Sequence, residues 1–158
     1  MTSTLRKFTE AEHEYLTANR LGRIATTSAA GMPDMAAVAY VLDGEDIIVG
    51  GSDLTKTIKY FNVRATGLAC FSVDDLKTVT PWYPRGVKVR GPAHVEEAGA
   101  ELAEVCQRLW AGGLLVIRVT VATIWSWHLN EGAPRRFHNT ERRDLELAPA
   151  AAEEVRNG

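Results

Sequence analysis

Apolar positions recur along this chain with two periods, and the switches between them mark the elements. Thr9-Glu10-Ala11-Glu12 has the spacing of a capping box, and Tyr15 and Leu16 follow a turn later, which predicts a helix from Thr9 to Asn19. Leu21 to Thr27 is a β-branched run that ends in the turn signals Gly31-Met32-Pro33. Met35 to Leu42 reads as a strand apolar on both faces, and Asp43-Gly44 is a hairpin signal before Asp46 to Val49. Gly50-Gly51 then breaks the pattern, and Leu54, Ile58 and Phe61 form one helical stripe that Ser52 or Asp53 could cap.

Leu68 to Val73 returns to strand, and Asp74 to Tyr83 reads as a loop carrying Pro81 and Trp82. Val87, Val89, Ala93 and Val95 alternate with Lys88, Arg90 and His94, a half-exposed strand bent at Gly91-Pro92. Ala98, Leu102, Val105 and Leu109 make a third helical stripe. Leu115, Ile117, Val119, Val121, Thr123, Trp125 and Trp127 share one face of a long final strand. The order α-β-β-β-α-β-β-α-β lacks the regular alternation of a doubly wound parallel sheet. It predicts a mainly β (α+β) fold, a small six-stranded antiparallel barrel with three peripheral helices. Residues 1–130 form this domain, and residues 131–158, with Pro134-Arg135-Arg136 and an Ala/Glu-rich end, read as a polar tail.

Composition narrows the function classes. In 158 residues, 18 Lys and Arg face 20 Asp and Glu, a net charge of −2. That balance argues against nucleic-acid binding, which needs clustered positive charge to displace counterions. Cys70 and Cys106 stand in no metal or disulfide spacing, and buried inert thiols are the expectation for both. The segment Leu114 to Trp127 is too short and too polar to span a bilayer, and Met1 to Glu10 has no signal-peptide pattern. These features point to a cytoplasmic chain with neither membrane nor nucleic-acid partners.

Side-chain catalytic constellations are scarce. No HExxH, GxSxG, Walker A or GxGxxG sequence occurs, and His13, His94, His128 and His138 are scattered. The more informative stretch is Gly50 to Lys59, where a strand runs through two glycines and hydroxyl residues into a lysine-bearing first helical turn. Backbone amides, a hydroxyl and an ammonium together make a phosphate seat; a capped surface helix with solvated lysines is the competing account. Trp82, in a Pro-rich loop with Arg85 nearby, is the candidate pocket wall, whereas Trp125 and Trp127 read first as a core face or interface.

Taken in order, Arg23-Ile24-Ala25-Thr26-Thr27, Gly31-Met32-Pro33, Tyr40 to Gly44, Val49 to Leu54, Lys59 to Arg64, Val73 to Leu76, Pro81-Trp82 and Val89-Arg90-Gly91 carry a resemblance. From about Phe8 to Trp127 the chain resembles the split β-barrel superfamily of pyridoxamine 5′-phosphate oxidase, in its flavin/deazaflavin branch of F420-dependent oxidoreductases. In that family a Ser-Arg-Lys stretch after the third strand grips the cofactor phosphate. The matching positions here are Thr57, Ile58 and Lys59, so the hydroxyl and the ammonium are kept and the arginine is not. Ala37 stands where the family's second strand usually carries proline.

The resemblance implies an FMN-binding-like split barrel and a homodimer whose sites lie at the subunit contact. It implies an oxidoreductase that uses coenzyme F420 to pass hydride to a small conjugated or unsaturated substrate. Lys59, Thr57 and Lys56 would hold phosphate, Gly51 and Ser52 would donate backbone amides, and Ala37, Val38 and Trp82 would flank the ring. No side chain is assigned a catalytic or metal-binding role. An FMN-dependent oxidoreductase, and a non-catalytic protein holding haem or another ligand on the same fold, are the alternatives.

Overall fold

The Thr9 hydroxyl accepts the Glu12 amide at 3.2 Å and the Glu12 carboxylate accepts the Thr9 amide at 2.9 Å, closing the capping box that starts helix α1, Glu10–Ala18. The structure is a computed structural model that describes residues 6–130 and 140–147. After α1 come strands β1 (Leu21–Thr27), β2 (Pro33–Asp43) and β3 (Asp46–Val49), the meander expected from the pattern. Gly44 turns the β2–β3 hairpin with φ 61°, a conformation that costs glycine little. A 3-10 turn at Leu54–Lys56 and helix α2 (Ile58–Thr66) precede β4 (Leu68–Thr78) and β5 (Tyr83–Glu97). Helix α3 (Ala100–Trp110), β6 (Leu115–Val119), β7 (Thr123–Trp127) and β8 (Thr140–Asp144) complete the described chain.

All the strand pairings are antiparallel, and the neighbour order is β4-β1-β2-β3-β6-β5 with an added β4–β5 pairing that closes these six strands into a ring. β7 and β8 extend from the first half of β5. The ring interior holds the main core, including Ile24, Val38, Ile47, Phe71, Val89 and Ile117. The Phe71 ring fills the place where a Cβ on Gly22 would sit, 2.1 Å from the added atom, and meets Tyr40 edge-on at 4.8 Å. None of the described helices is long and apolar enough to cross a membrane.

Four expectations are corrected. The long final strand is two, because the Thr120 carbonyl crosses over Gly91, where a Cβ would lie 1.8 Å from that oxygen. β6 therefore pairs with the second half of β5 and β7 with the first, and the buried parity changes so that Ile124 and Ser126 point inward. Trp125 and Trp127 thus leave the face they were expected to share with Ile117 and Val119. The loop expected over Asp74 to Tyr83 is mostly paired strand, with Asp75 opposite Arg85 and Thr78 opposite Tyr83. From the expected polar tail, Thr140–Asp144 joins the sheet as β8, and Pro134 to His138 lie outside the described residues.

The fourth correction concerns the second helix. Leu54 is buried, but Ile58 and Phe61 are 61% and 60% exposed. The 3-10 turn rotates the following helix so that Asn62 and Val63 face inward instead, Asn62 donating to the buried Thr26 hydroxyl at 3.0 Å. Helix α3 meets its expectation better: Leu102, Cys106, Leu109 and Trp110 pack on Ile48 and Val116 outside the ring.

Candidate functional site

Residues directly opposite in an antiparallel ladder point to the same face, so the register defines a continuous outer row across the sheet. Ala37 pairs with Arg23, Arg23 with Ser72, Ser72 with Lys88, Lys88 with Trp125, and Trp125 with Arg142. A second row runs Met35, Ala25, Cys70, Arg90. On β2 the same face continues to Ala39 and Val41, which α3 covers, whereas Met35 and Ala37 are exposed. The uncovered part of the outer face therefore begins at Ala37.

β2 carries Ala37 and Val38 on opposite faces. Val38 is 8% exposed and belongs to the ring core, so of the two only the Ala37 side chain faces out. Ala37 leaves the strand backbone open to a flat partner, since its side chain ends at Cβ.

The Gly50 to Lys59 stretch follows β3 and is compact in sequence, but its parts differ. A Cβ on Gly50 would lie 2.7 Å from the Trp110 ring, and one on Gly113 would lie 2.0 Å from the Gly51 carbonyl oxygen. Gly50 is there for helix packing, while Gly51 has open space around it and Ser52 is exposed. The Lys56 ammonium pairs with Asp53 at 2.9 Å, and the Thr57 hydroxyl donates to the Leu54 carbonyl at 2.7 Å. No side chain caps α2. Lys59 is half-buried, and burial pulls its ammonium below the usual lysine range against the opposing charge of Asp34 on β2.

Trp82 lies apart from that stretch. It is 55% exposed and lines a cavity of about 360 Å³ with Pro84, Lys88, Trp125, Trp127, His128 and Thr140. Along the outer row Lys88 is three strand spacings from Ala37, about 14 Å. Trp127 packs flat enough on β5 that a Cβ on Gly86 would lie 2.4 Å from its ring. His128 stacks on Tyr83 at 5.7 Å, and its Nδ1 lies 2.6 Å from the Pro84 carbonyl, which places the proton on that nitrogen. A larger cavity of about 720 Å³ is edged by Glu10, Glu14 and Glu141, a poor environment for an anionic ligand.

Sequence reasoning placed Lys88 and Arg90 on the open side of a half-exposed strand but did not bring the cations of the outer row together. Their signal was present in the alternation of Lys88 and Arg90 with Val87 and Val89. Their convergence required knowing that β4 and β7 flank β5. Cys106 is buried as expected, but Cys70 is only half-buried and on the outer face. Burial raises the Cys70 thiol above its usual range, against the pull of Lys88 and Arg90. Among the described residues no group of His, Cys, Asp and Glu is placed to hold a metal ion.

The family model for pyridoxamine 5′-phosphate oxidase matches residues 9–122, which covers α1 through the crossover after β6. The chain belongs to this family. A 5a,11a-dehydrotetracycline/5a,11a-dehydrooxytetracycline reductase of Streptomyces rimosus subsp. rimosus is 34% identical over 94 residues, 58% of this chain. The match spans 66% of that reductase, just under two thirds of its length. Among solved structures, a haem-binding protein of Mycobacterium smegmatis superposes with a TM-score of 0.62 at 18% identity, covering 87% of this chain and 59% of that one. An FAD-binding protein of the same organism superposes at 0.54 with 23% identity, covering 74% and 92%. Both superpositions establish the shared fold.

Proposed function

We propose that this family member is an oxidoreductase that binds coenzyme F420, with FMN as the nearest variant, and reduces a small conjugated or unsaturated acceptor. The observation that carries this reading is the bare outer face at Ala37, on the strand whose Asp34 influences the half-buried ammonium of Lys59. A planar ring laid on the backbone at Ala37 would have its phosphate arm within the reach of the uncapped α2 start. The dehydrotetracycline reductase among the relatives supports the reductive direction, and the FAD-binding neighbour supports a flavin-type ring on this fold.

The residues fit such a group unequally. Lys59 makes no ion pair with any described residue, and an anionic arm would compensate the cost of its burial. Gly51 is half-buried with open space where a side chain would stand, Ser52 is exposed, and both offer backbone amides. Lys56 and Thr57 must first exchange their contacts with Asp53 and the Leu54 carbonyl. When bound, the deazaflavin supplies the hydride; the chain's part is to seat the ring, anchor the phosphate and exclude water.

Ala37 and Met35 on the bare face, with Ile58 and Phe61 on α2, form exposed apolar surface. A second copy of this chain packed there would bury it and enclose the ring, so the functional unit is a homodimer with shared sites. Titration of the purified protein with F420, FMN and haem, followed by absorbance and calorimetry, tests the reading. Saturable binding of F420, tighter than FMN, is expected. Binding of haem alone, with no affinity for either flavin-type cofactor at high micromolar concentration, overturns it in favour of a ligand carrier.

A further inference from the structure

β8 runs out of the sheet beside a cluster of cations. Along the ladder Lys88, Trp125 and Arg142 share one row, and Arg90, Thr123 and Asp144 share the next. The Lys88 ammonium lies 4.2 Å from the Trp125 ring centroid, the Arg90 guanidinium 5.2 Å and the Arg142 guanidinium 5.6 Å. Asp144 pairs with Arg142 at 3.0 Å, accepts the Thr123 hydroxyl at 2.9 Å and acts electrostatically on Arg90 as well. Two guanidinium groups thus share one carboxylate, and the Lys88 ammonium has no ion pair with a described residue. These four groups keep a positive excess, and the indole face offsets only part of the repulsion among them.

The chain supplies acid of its own within reach. Leu145 donates its amide to the Ala122 carbonyl at 2.8 Å, so the backbone is still held against the sheet one residue past β8. Residues 148–158, which lie outside the described residues, carry Glu153 and Glu154 and the single cation Arg156. From Asp144 to Arg90 is two strand spacings, about 9.5 Å, and Leu147 is at most about 10 Å past Asp144. The six steps from Leu147 to Glu153 span up to about 20 Å, enough to return to Arg90 and Lys88. So short a tether sets an effective concentration in the millimolar range, at which individually weak ion pairs suffice. We propose that Glu153 and Glu154 dock in cis on Lys88, Arg90 and Arg142, so that the C-terminal segment covers the Trp125 face of its own chain. The contact is autoinhibitory: another anion reaches this part of the outer face only by displacing the segment. It does not rest on the cofactor reading above.

Carbodiimide coupling of the full chain tests the contact, because it joins a carboxylate to an amine only where the two meet. Isotopically labelled and unlabelled protein are mixed in equal amounts, and the joined peptides are read by mass spectrometry. Coupling of Glu153 or Glu154 to Lys88 within one chain is expected to exceed coupling of the same carboxylates to Lys7 or Lys56. Arg90→Gln/Arg142→Gln keeps the coupling amine and removes two cations. It should slow the reaction by about 2- to 30-fold, the range for two exposed ion pairs. Salt at about 1 M should slow the wild type likewise, since charges are then screened within about 3 Å. Circular dichroism of the double variant confirms its fold before coupling. Four results overturn the proposal: coupling spread evenly over Lys7, Lys56 and Lys88; Lys88 joined to Asp144 or Glu146 alone; coupling only between labelled and unlabelled chains; or an unchanged rate in the folded double variant.

Discussion

The carboxylate of Glu12, 1% exposed at the start of α1, accepts two N–H bonds from Arg143 on β8, 131 positions away in sequence. The Ser126 hydroxyl donates to the same carboxylate at 2.7 Å, and the Thr9 amide at 2.9 Å. One buried group therefore ties the first helix to both strands of the β7–β8 extension.

Removing Arg143 leaves that carboxylate buried without its cation. Arg143→Ala is expected to lower unfolding free energy by about 3 kcal/mol, the lower end for a broken buried pair because Arg143 is itself a third exposed. Arg142→Ala, on an exposed pair of the same strand, should change stability by less than about 0.5 kcal/mol. Urea denaturation of the two variants provides the comparison, and equal effects would refute the tie.

Acid should act through the same group. Burial pushes the Glu12 carboxyl up, but the hydrogen bonds from Arg143, Ser126 and Thr9 outweigh it and hold the folded value below the ordinary 4.5. Its contribution is complete above the ordinary carboxylate range and is lost as pH falls from about there through the depressed folded value. Chemical denaturation between pH 7 and pH 3 should show this loss in the wild type, with a shallower slope in Glu12→Gln.

Glycine substitutions separate packing from ligand binding. Gly113→Ala places a Cβ 2.0 Å from the Gly51 carbonyl oxygen, a backbone atom, and should cost about 2–3 kcal/mol by overpacking. Gly51→Ala meets open space and should stay within about 0.5 kcal/mol of wild type. A cofactor affinity reduced in a fully stable Gly51→Ala protein would support the role given to that segment.

Lys59→Ala should weaken F420 or FMN by about 10- to 150-fold without loss of stability, because the ammonium has no described ion pair to lose. Thermal unfolding and ligand titration on one preparation measure both quantities. An unchanged dissociation constant would move the cofactor phosphate away from α2.

Met35→Glu should reduce self-association and cofactor affinity together, since Met35 is 68% exposed two residues before Ala37 on the same face. Light scattering at low micromolar concentration decides it: a monomer that keeps full cofactor affinity would refute the shared site.

Local chemistry was legible along the chain without coordinates. The capping box at Thr9 and Glu12, the Asp43-Gly44 turn and the alternation through Val87 and Val89 each depend on neighbours within a few residues. The element order, and with it the mainly antiparallel fold, followed from those signals and from the family resemblance. The face of each element was a different matter. Ile58 and Phe61 fit a helical stripe, yet the 3-10 turn before them rotates the helix and turns both to solvent. Trp125 and Trp127 matched the parity of Ile117 and Val119, yet the crossing of Thr120 over Gly91 breaks the strand and changes which side is buried. Periodicity reports spacing along one element, and only the packed neighbours decide which side of that spacing is inside. The convergence of Lys88, Arg90 and Arg142 on Trp125, and of Arg143 on Glu12, likewise arises from strand pairing, which brings together charges that are remote along the chain.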